Sequence, residues 1–202
     1  MSPRIVNKQA KKEAIIQKAT EVISAKGIYS FKMSDVADAA DVGKGTLYEY
    51  FKDKEELVTA CYVYFLDSFI DIADSVDLKN SARANLRSYI SVLFKHFSKN
   101  IDSVHIAFDF WSQALQSSDN RQYVKLMTKA YNDFVAVLIR IIKDGIKKGE
   151  FRAIDVEKYA AAIVGMLDGI LFQGVMGIND ITDAKWPRVI SNMILNGLSK
   201  TG

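Results

Sequence analysis

Residues 43–57 read GKGTLYEYFKDKEEL. Lys44, Thr46, Tyr48, Tyr50, Lys52 and Lys54 each carry an N–H or O–H donor, with Leu47 and Phe51 between them. An ammonium beside a phenol is a pair of donors suited to phosphate oxygens. A lysine or threonine at the start of a short helix can reach base edges in a major groove. The same aromatic cluster could also be plain core. The window Met33–Lys52 decides between the two.

That window meets the requirements of two short helices joined by a three-residue turn and crossing steeply. A close crossing needs a small residue, and Ala37 stands there. Val36, Ala40, Val42, Leu47 and Tyr50 occupy the inward offsets. The turn Asp41–Val42–Gly43 needs a residue tolerant of positive φ, and aspartate is among the better substitutes for glycine. Gly43 can act as a weak N-cap of the second helix. Leu47 and Phe51 are then core, and Tyr50 packs its ring inward with its hydroxyl at the rim. Lys44, Thr46, Tyr48 and Lys54 face outward. Gly45 removes a side chain, so backbone can approach a duplex closely.

The charge is distributed to match. The chain has 202 residues and a formal net charge of +3. Residues 1–54 hold ten Lys/Arg against seven Asp/Glu, and residues 55–202 hold seventeen of each. The whole excess lies in the first quarter, which suggests an anionic partner for that part alone. Arg4, Lys8, Lys11 and Lys12 precede the first acid, Glu13, and could equally be a solvated basic tail. The single cysteine, Cys61, can form no internal disulfide, and no signal-type apolar run follows the basic N-terminus; a cytoplasmic location is expected. His96 and His105 are the only histidines and lack metal-ligand spacing. No nucleophile–base constellation or phosphate-binding glycine loop appears. Neither an enzyme, a cofactor nor a metal is expected.

Prolines stand only at positions 3 and 187, and 3.6-residue periodicity prevails, so the chain reads as all-α. About nine helices are expected, over roughly 6–26, 33–40, 44–50, 53–75, 82–98, 102–116, 120–147, 156–177 and 183–199. Gly27 and Gly149 read as C-terminal stops, Asp53 and Asp155 as N-caps, and Pro187 lies in a first turn. Residues 117–120 read as a turn. Residues 1–54 form the expected helix-turn-helix domain, and residues 55–202 a larger helical domain for effector binding and dimerisation.

GKGTLYEYFKDKEEL, preceded by MSDVADAADV, resembles the DNA-binding region of the TetR/AcrR family of bacterial one-component regulators. The resemblance covers about residues 8–58. Later segments, DGIKKGEF at 144–151 and DGIL at 168–171, are similar to family members but less specific. The resemblance implies base contacts from Lys44, Gly45, Thr46 and Tyr48. It implies phosphate contacts from Tyr50, Lys54 and the start of the second helix, Lys32 to Ser34. Three positions depart from the family pattern. Lys32 or Met33 falls where a capping Thr or Ser is usual, Asp41 stands at the turn glycine, and Gly43 stands where serine is common. Glu49 either accepts from a cytosine amino group or faces solvent.

Aromatic residues crowd the remainder, and as an ordinary core they would need no further explanation. The resemblance implies a small effector bound among helices 4–7, and Tyr89, Phe108, Trp111 and Phe134 are the expected lining. Residues 159–176 are nearly unbroken apolar sequence. Asp168 at the centre would cost about 3 kcal/mol on membrane insertion. A helix buried on two faces, one against a second copy of the chain, is expected instead, with no membrane partner. Ile163, Leu167 and Leu171 with Ile190 and Ile194 of the last helix are the expected homodimer interface. The expected function is thus a dimeric, ligand-responsive repressor binding palindromic double-stranded DNA. The alternative is a constitutive or architectural DNA-binding protein with no effector.

Overall fold

The computed structural model describes residues 3–67, 76–116 and 121–199, and all nine described elements are α-helices. They are α1 (Pro3–Lys26), α2 (Met33–Ala39), α3 (Lys44–Tyr50), α4 (Lys54–Asp67), α5 (Ala82–Lys99), α6 (Ile101–Gln116), α7 (Arg121–Lys147), α8 (Val156–Val175) and α9 (Trp186–Leu198). The expected continuation of α4 to residue 75 and the turn at 117–120 lie outside the described residues, as do the side chains of Arg4 and His105.

The helices fall into two compact units. The first holds α1–α4 and also α6; the second holds α5, α7, α8 and α9. Residues 55–67 group with the first unit. The reason is the packing of α4, whose Leu57, Val58, Cys61, Tyr62 and Phe65 are all buried. Tyr62 stacks on Phe110 of α6 with ring centroids 3.9 Å apart. Cys61 is buried 3.8 Å from the Ile16 carbonyl of α1, and burial pushes its thiol up to about 12.

In the first unit α1 buries Ile15, Ile16, Ala19 and Ile23, one stripe at helical spacing. It stops at Gly27, whose φ of +80° suits glycine and whose N–H donates to the Ile23 carbonyl at 2.8 Å. The helix-turn-helix follows the expected register. Val36, Ala37, Leu47 and Phe51 are fully buried, while Ala40, Val42 and Tyr50 are half-buried. Asp41 holds φ at +50°, the one non-glycine residue at positive φ among the described residues. The Val42 N–H closes the turn on the Ala37 carbonyl at 3.0 Å.

The helix starts solve their capping separately. Lys32 occupies the N-cap of α2 and has no accepting side chain. Asp35, three residues on, accepts from the Lys32 N–H at 2.8 Å and pairs with Lys26 at 3.0 Å. The Lys32 hydrogen bond, then Lys26, holds the Asp35 carboxyl below its usual range. At α4, Asp53 accepts from the Glu56 N–H at 2.8 Å, as expected of a cap, and Glu56 accepts from the Lys52 N–H at 2.7 Å.

In the second unit, α5 packs on α7 and α9, and α7 packs on α8. The segment DGIKKGEF forms its corner. Gly149 takes φ +73°, and the chain folds Phe151 back over Gly145. The Glu150 carboxylate then accepts from the Ala82 and Arg83 N–H groups at 3.0 and 3.1 Å, capping α5 from 67 and 68 residues away. Lys148 donates to the Leu78 and Asn80 carbonyls at 2.6 and 2.8 Å and ties the same corner down. Asp155 caps α8 by accepting from the Lys158 N–H at 3.1 Å.

Candidate nucleic-acid interface and ligand cavity

Helix α3 spends its apolar residues inward and its donors outward. Leu47 is fully buried, whereas Lys44, Gly45, Tyr48 and Glu49 are exposed and Thr46 is half-exposed. A side chain at Gly45 would meet nothing within 4 Å, so the backbone there is open to a duplex. Tyr50 and Phe51 carry cations on their rings. Lys8 stands 5.8 Å from the Tyr50 centroid and Lys12 stands 5.4 Å from that of Phe51. The aromatic bodies thus serve as core and as platforms for basic residues of α1. Lys32 is exposed and Ser34 half-exposed at the start of α2.

Lys54, expected at a phosphate, has a role within the fold as well. Its ammonium donates to the Tyr29 and Phe31 carbonyls at 3.1 and 3.0 Å and lies 4.2 Å from the Phe31 ring centroid. Two of its three donors therefore fasten the loop between α1 and α2 to the start of α4. Lys54→Ala is expected to lower the unfolding free energy by about 1–2 kcal/mol, read by denaturant titration. A salt dependence of DNA binding flattened by about one unit in the same variant would show that its remaining donor also meets a phosphate.

The second unit contains a cavity of about 30 Å³. Among the described residues it is lined by Tyr89, Leu93 and Phe97 of α5, by Phe134 and Leu138 of α7, and by Val164, Leu167, Asp168 and Leu171 of α8. Of the four residues expected to line an effector site, Tyr89 and Phe134 stand together here. Phe108 and Trp111 lie on α6 in the first unit, packed edge-to-face on each other at 5.1 Å. Apolar periodicity does not say which unit a helix joins.

Asp168 is the residue the expected lining lacked. It is the one charged side chain among the described lining residues, and it makes no hydrogen bond or ion pair with any described residue. Burial pushes its carboxyl up from 3.8 to about 6. Tyr89, 2 % exposed, is likewise raised by burial, with Arg140 pulling the other way. Between pH 3.8 and about 6 the folded protein keeps the Asp168 proton that the unfolded chain releases. The ionisation penalty is absent below that window and complete above it. Asp168→Asn is expected to match the parent at pH 4 and exceed its stability by about 2 kcal/mol at pH 8, allowing for partial exposure. Chemical denaturation at the two pH values checks this.

The expected homodimer residues are all spent within the chain. Ile163, Leu167, Leu171, Ile190 and Ile194 are between 2 and 8 % exposed, packed in the core of the second unit. A helix apolar on several sides does not reveal in sequence which stripe stays outside. The outer stripe holds Phe172 and Met176 of α8 and its end, and Val189 and Met193 of α9, at 45–61 % exposure. Gly165 and Gly169 have open space where a Cβ would stand.

Comparison with known families locates this architecture. The family described as "Bacterial regulatory proteins, tetR family" matches residues 15–61, and "BetI-type transcriptional repressor, C-terminal" matches residues 82–197. The chain belongs to the TetR family of transcriptional regulators. Among relatives, this regulator is 30% identical over 191 residues to the fatty acid metabolism regulator protein of Bacillus subtilis, covering 93% of each chain. It is 24% identical over 171 residues to the regulator BetI of Rhizobium meliloti, covering 83% of this chain and 79% of the other. The fold matches that of FadR from Bacillus subtilis in complex with stearoyl-CoA, with a TM-score of 0.76, 24% identity, and 92% and 98% of the two chains covered. A TetR regulator from Haloarcula marismortui aligns with a TM-score of 0.82 at 19% identity, covering 95% and 100%.

Among the described residues no group of three His, Cys, Asp or Glu side chains could hold a metal ion. Helix α8 is long and apolar enough to cross a membrane by length and composition. It instead buries Ala160, Ile163, Val164, Leu167 and Ile170 within its unit, and its central Asp168 opens on the cavity.

Proposed function

We propose that the protein is a cytoplasmic, homodimeric transcriptional repressor. It reads a palindromic operator with α3 and is released from it by a small, largely apolar effector. The observation that carries this reading is the two-sidedness of α3: Leu47 anchors it while Lys44, Gly45, Thr46 and Tyr48 stand on its outer side. Lysine donates to guanine O6 and N7, and threonine meets base edges or phosphate. Tyr48, with Tyr50, Lys32 and Ser34 at the rim, has the chemistry to hold the backbone and fix register.

One seven-residue helix makes few base contacts, so a second copy is required for useful discrimination. The exposed stripe of Phe172, Met176, Val189 and Met193 offers the surface for it, with Gly165 and Gly169 allowing close helix approach. Phe172→Glu is expected to yield a monomer by sedimentation and to reduce operator affinity; an intact dimer would move the interface elsewhere.

The cavity between α5, α7 and α8 is the proposed effector site. The relative described with stearoyl-CoA supports an effector-responsive reading. A ligand releases DNA if it prefers an arrangement whose two reading helices no longer match successive grooves. Helix α4 is the proposed lever, since Lys54 fixes its first turn to the reading domain. The small size of the cavity favours a second reading, a constitutive DNA-binding protein without effector. Footprinting upstream of the protein's own gene, followed by release assays with candidate effectors, separates the two. A protected palindrome with ligand-driven release supports the first reading, and protection that no effector relieves supports the second. No protected site would overturn both.

A further inference from the structure

We propose that the effector site selects a ligand with a protonated amine on a compact apolar body, the amine meeting the Asp168 carboxylate. This rests on the reading of the α5–α7–α8 cavity as an effector site and names the chemistry of what enters it. Three aromatic side chains, Tyr89, Phe97 and Phe134, share the cavity wall with a single carboxylate. That carboxylate has no partner among the described residues. An ionised group removed from water is costly unless it is paired. For a purely apolar ligand a leucine at this position would serve better, and for a carboxylate ligand Asp168 would be repulsive. A cation beside aromatic faces gains from both the carboxylate and the ring quadrupoles.

The cavity's 30 Å³ is well below the roughly 150 Å³ of an apolar cavity that accepts benzene. An amine ligand therefore displaces wall side chains as it enters, and Phe134 of α7 is the half-buried aromatic among the described lining residues. Such displacement is also what links occupancy to a change of arrangement.

The test uses one apolar body with three heads: 4-phenylbutylamine, 4-phenylbutanol and 4-phenylbutyrate, titrated calorimetrically into the full-length protein. The amine is expected to bind at least about tenfold more tightly than the alcohol, and the carboxylate more weakly than either. In Asp168→Asn the amine's tenfold advantage over the alcohol should shrink to within about twofold. An amine no tighter than the alcohol, a preference surviving in Asp168→Asn, or no binding of any of the three overturns the proposal. Operator release keeps the two readings apart. If stearoyl-CoA releases DNA and the amine neither binds nor releases it, the regulator stands and this ligand class fails. If no genomic fragment is bound but the Asp168-dependent amine preference holds, the ligand class stands and the regulator reading fails.

Discussion

Gly45→Ala is expected to leave the protein folded, more stable by about 0.5 kcal/mol, and weaker on its operator by roughly 1–3 kcal/mol, or about 5- to 150-fold. The two effects have separate causes. A Cβ at Gly45 meets nothing within 4 Å of its own chain, so the fold accepts it and the second position of α3 gains helix propensity. The same methyl group stands where backbone would approach the duplex. Thermal unfolding and fluorescence anisotropy on the cognate site read the two effects independently. Undiminished affinity would place α3 in another orientation, with Gly45 away from DNA.

Gly145→Ala is expected to do the reverse, costing stability before function. A Cβ there would stand 2.2 and 2.4 Å from two ring carbons of Phe151 and 2.8 Å from the Ala82 side chain. Phe151 is 1% exposed and has no open side to turn toward. Moving it also moves Glu150, whose carboxylate holds the first N–H groups of α5. The expected loss is about 2–4 kcal/mol, outweighing the roughly 1 kcal/mol that alanine gains over glycine within a helix. Calorimetry should show Tm lower by roughly 5–15 °C. Adding Phe151→Leu should recover part of the loss, since the two sites share one clash. Strictly additive losses would mean the corner yields by another route.

Much of the reading domain was legible because its constraints are local. Asp41 at positive φ, Gly27 as a stop, Asp53 as a cap and Leu47 as an anchor each follow from neighbours within a turn or two. The family resemblance added the contact assignments, which spacing alone would not supply. Lys54 shows where local reasoning ends: its type and position suit a phosphate, but carbonyls 23 and 25 residues earlier in the chain occupy two of its donors. Asp168 was conspicuous in the sequence as a carboxylate inside an apolar helix, yet only the packing of α5, α7 and α8 shows that it opens on a cavity.

By itself, the sequence determined the all-helical class, the register of the helix-turn-helix and the basic first quarter, because periodicity, caps and charge act over a few residues. The tertiary structure alone decided which apolar stripe of α8 and α9 turns inward, which aromatics share a wall, and why Gly145 precedes Phe151 by six residues. Burial is a property of what lies opposite, and residues distant in the chain supply the opposite face.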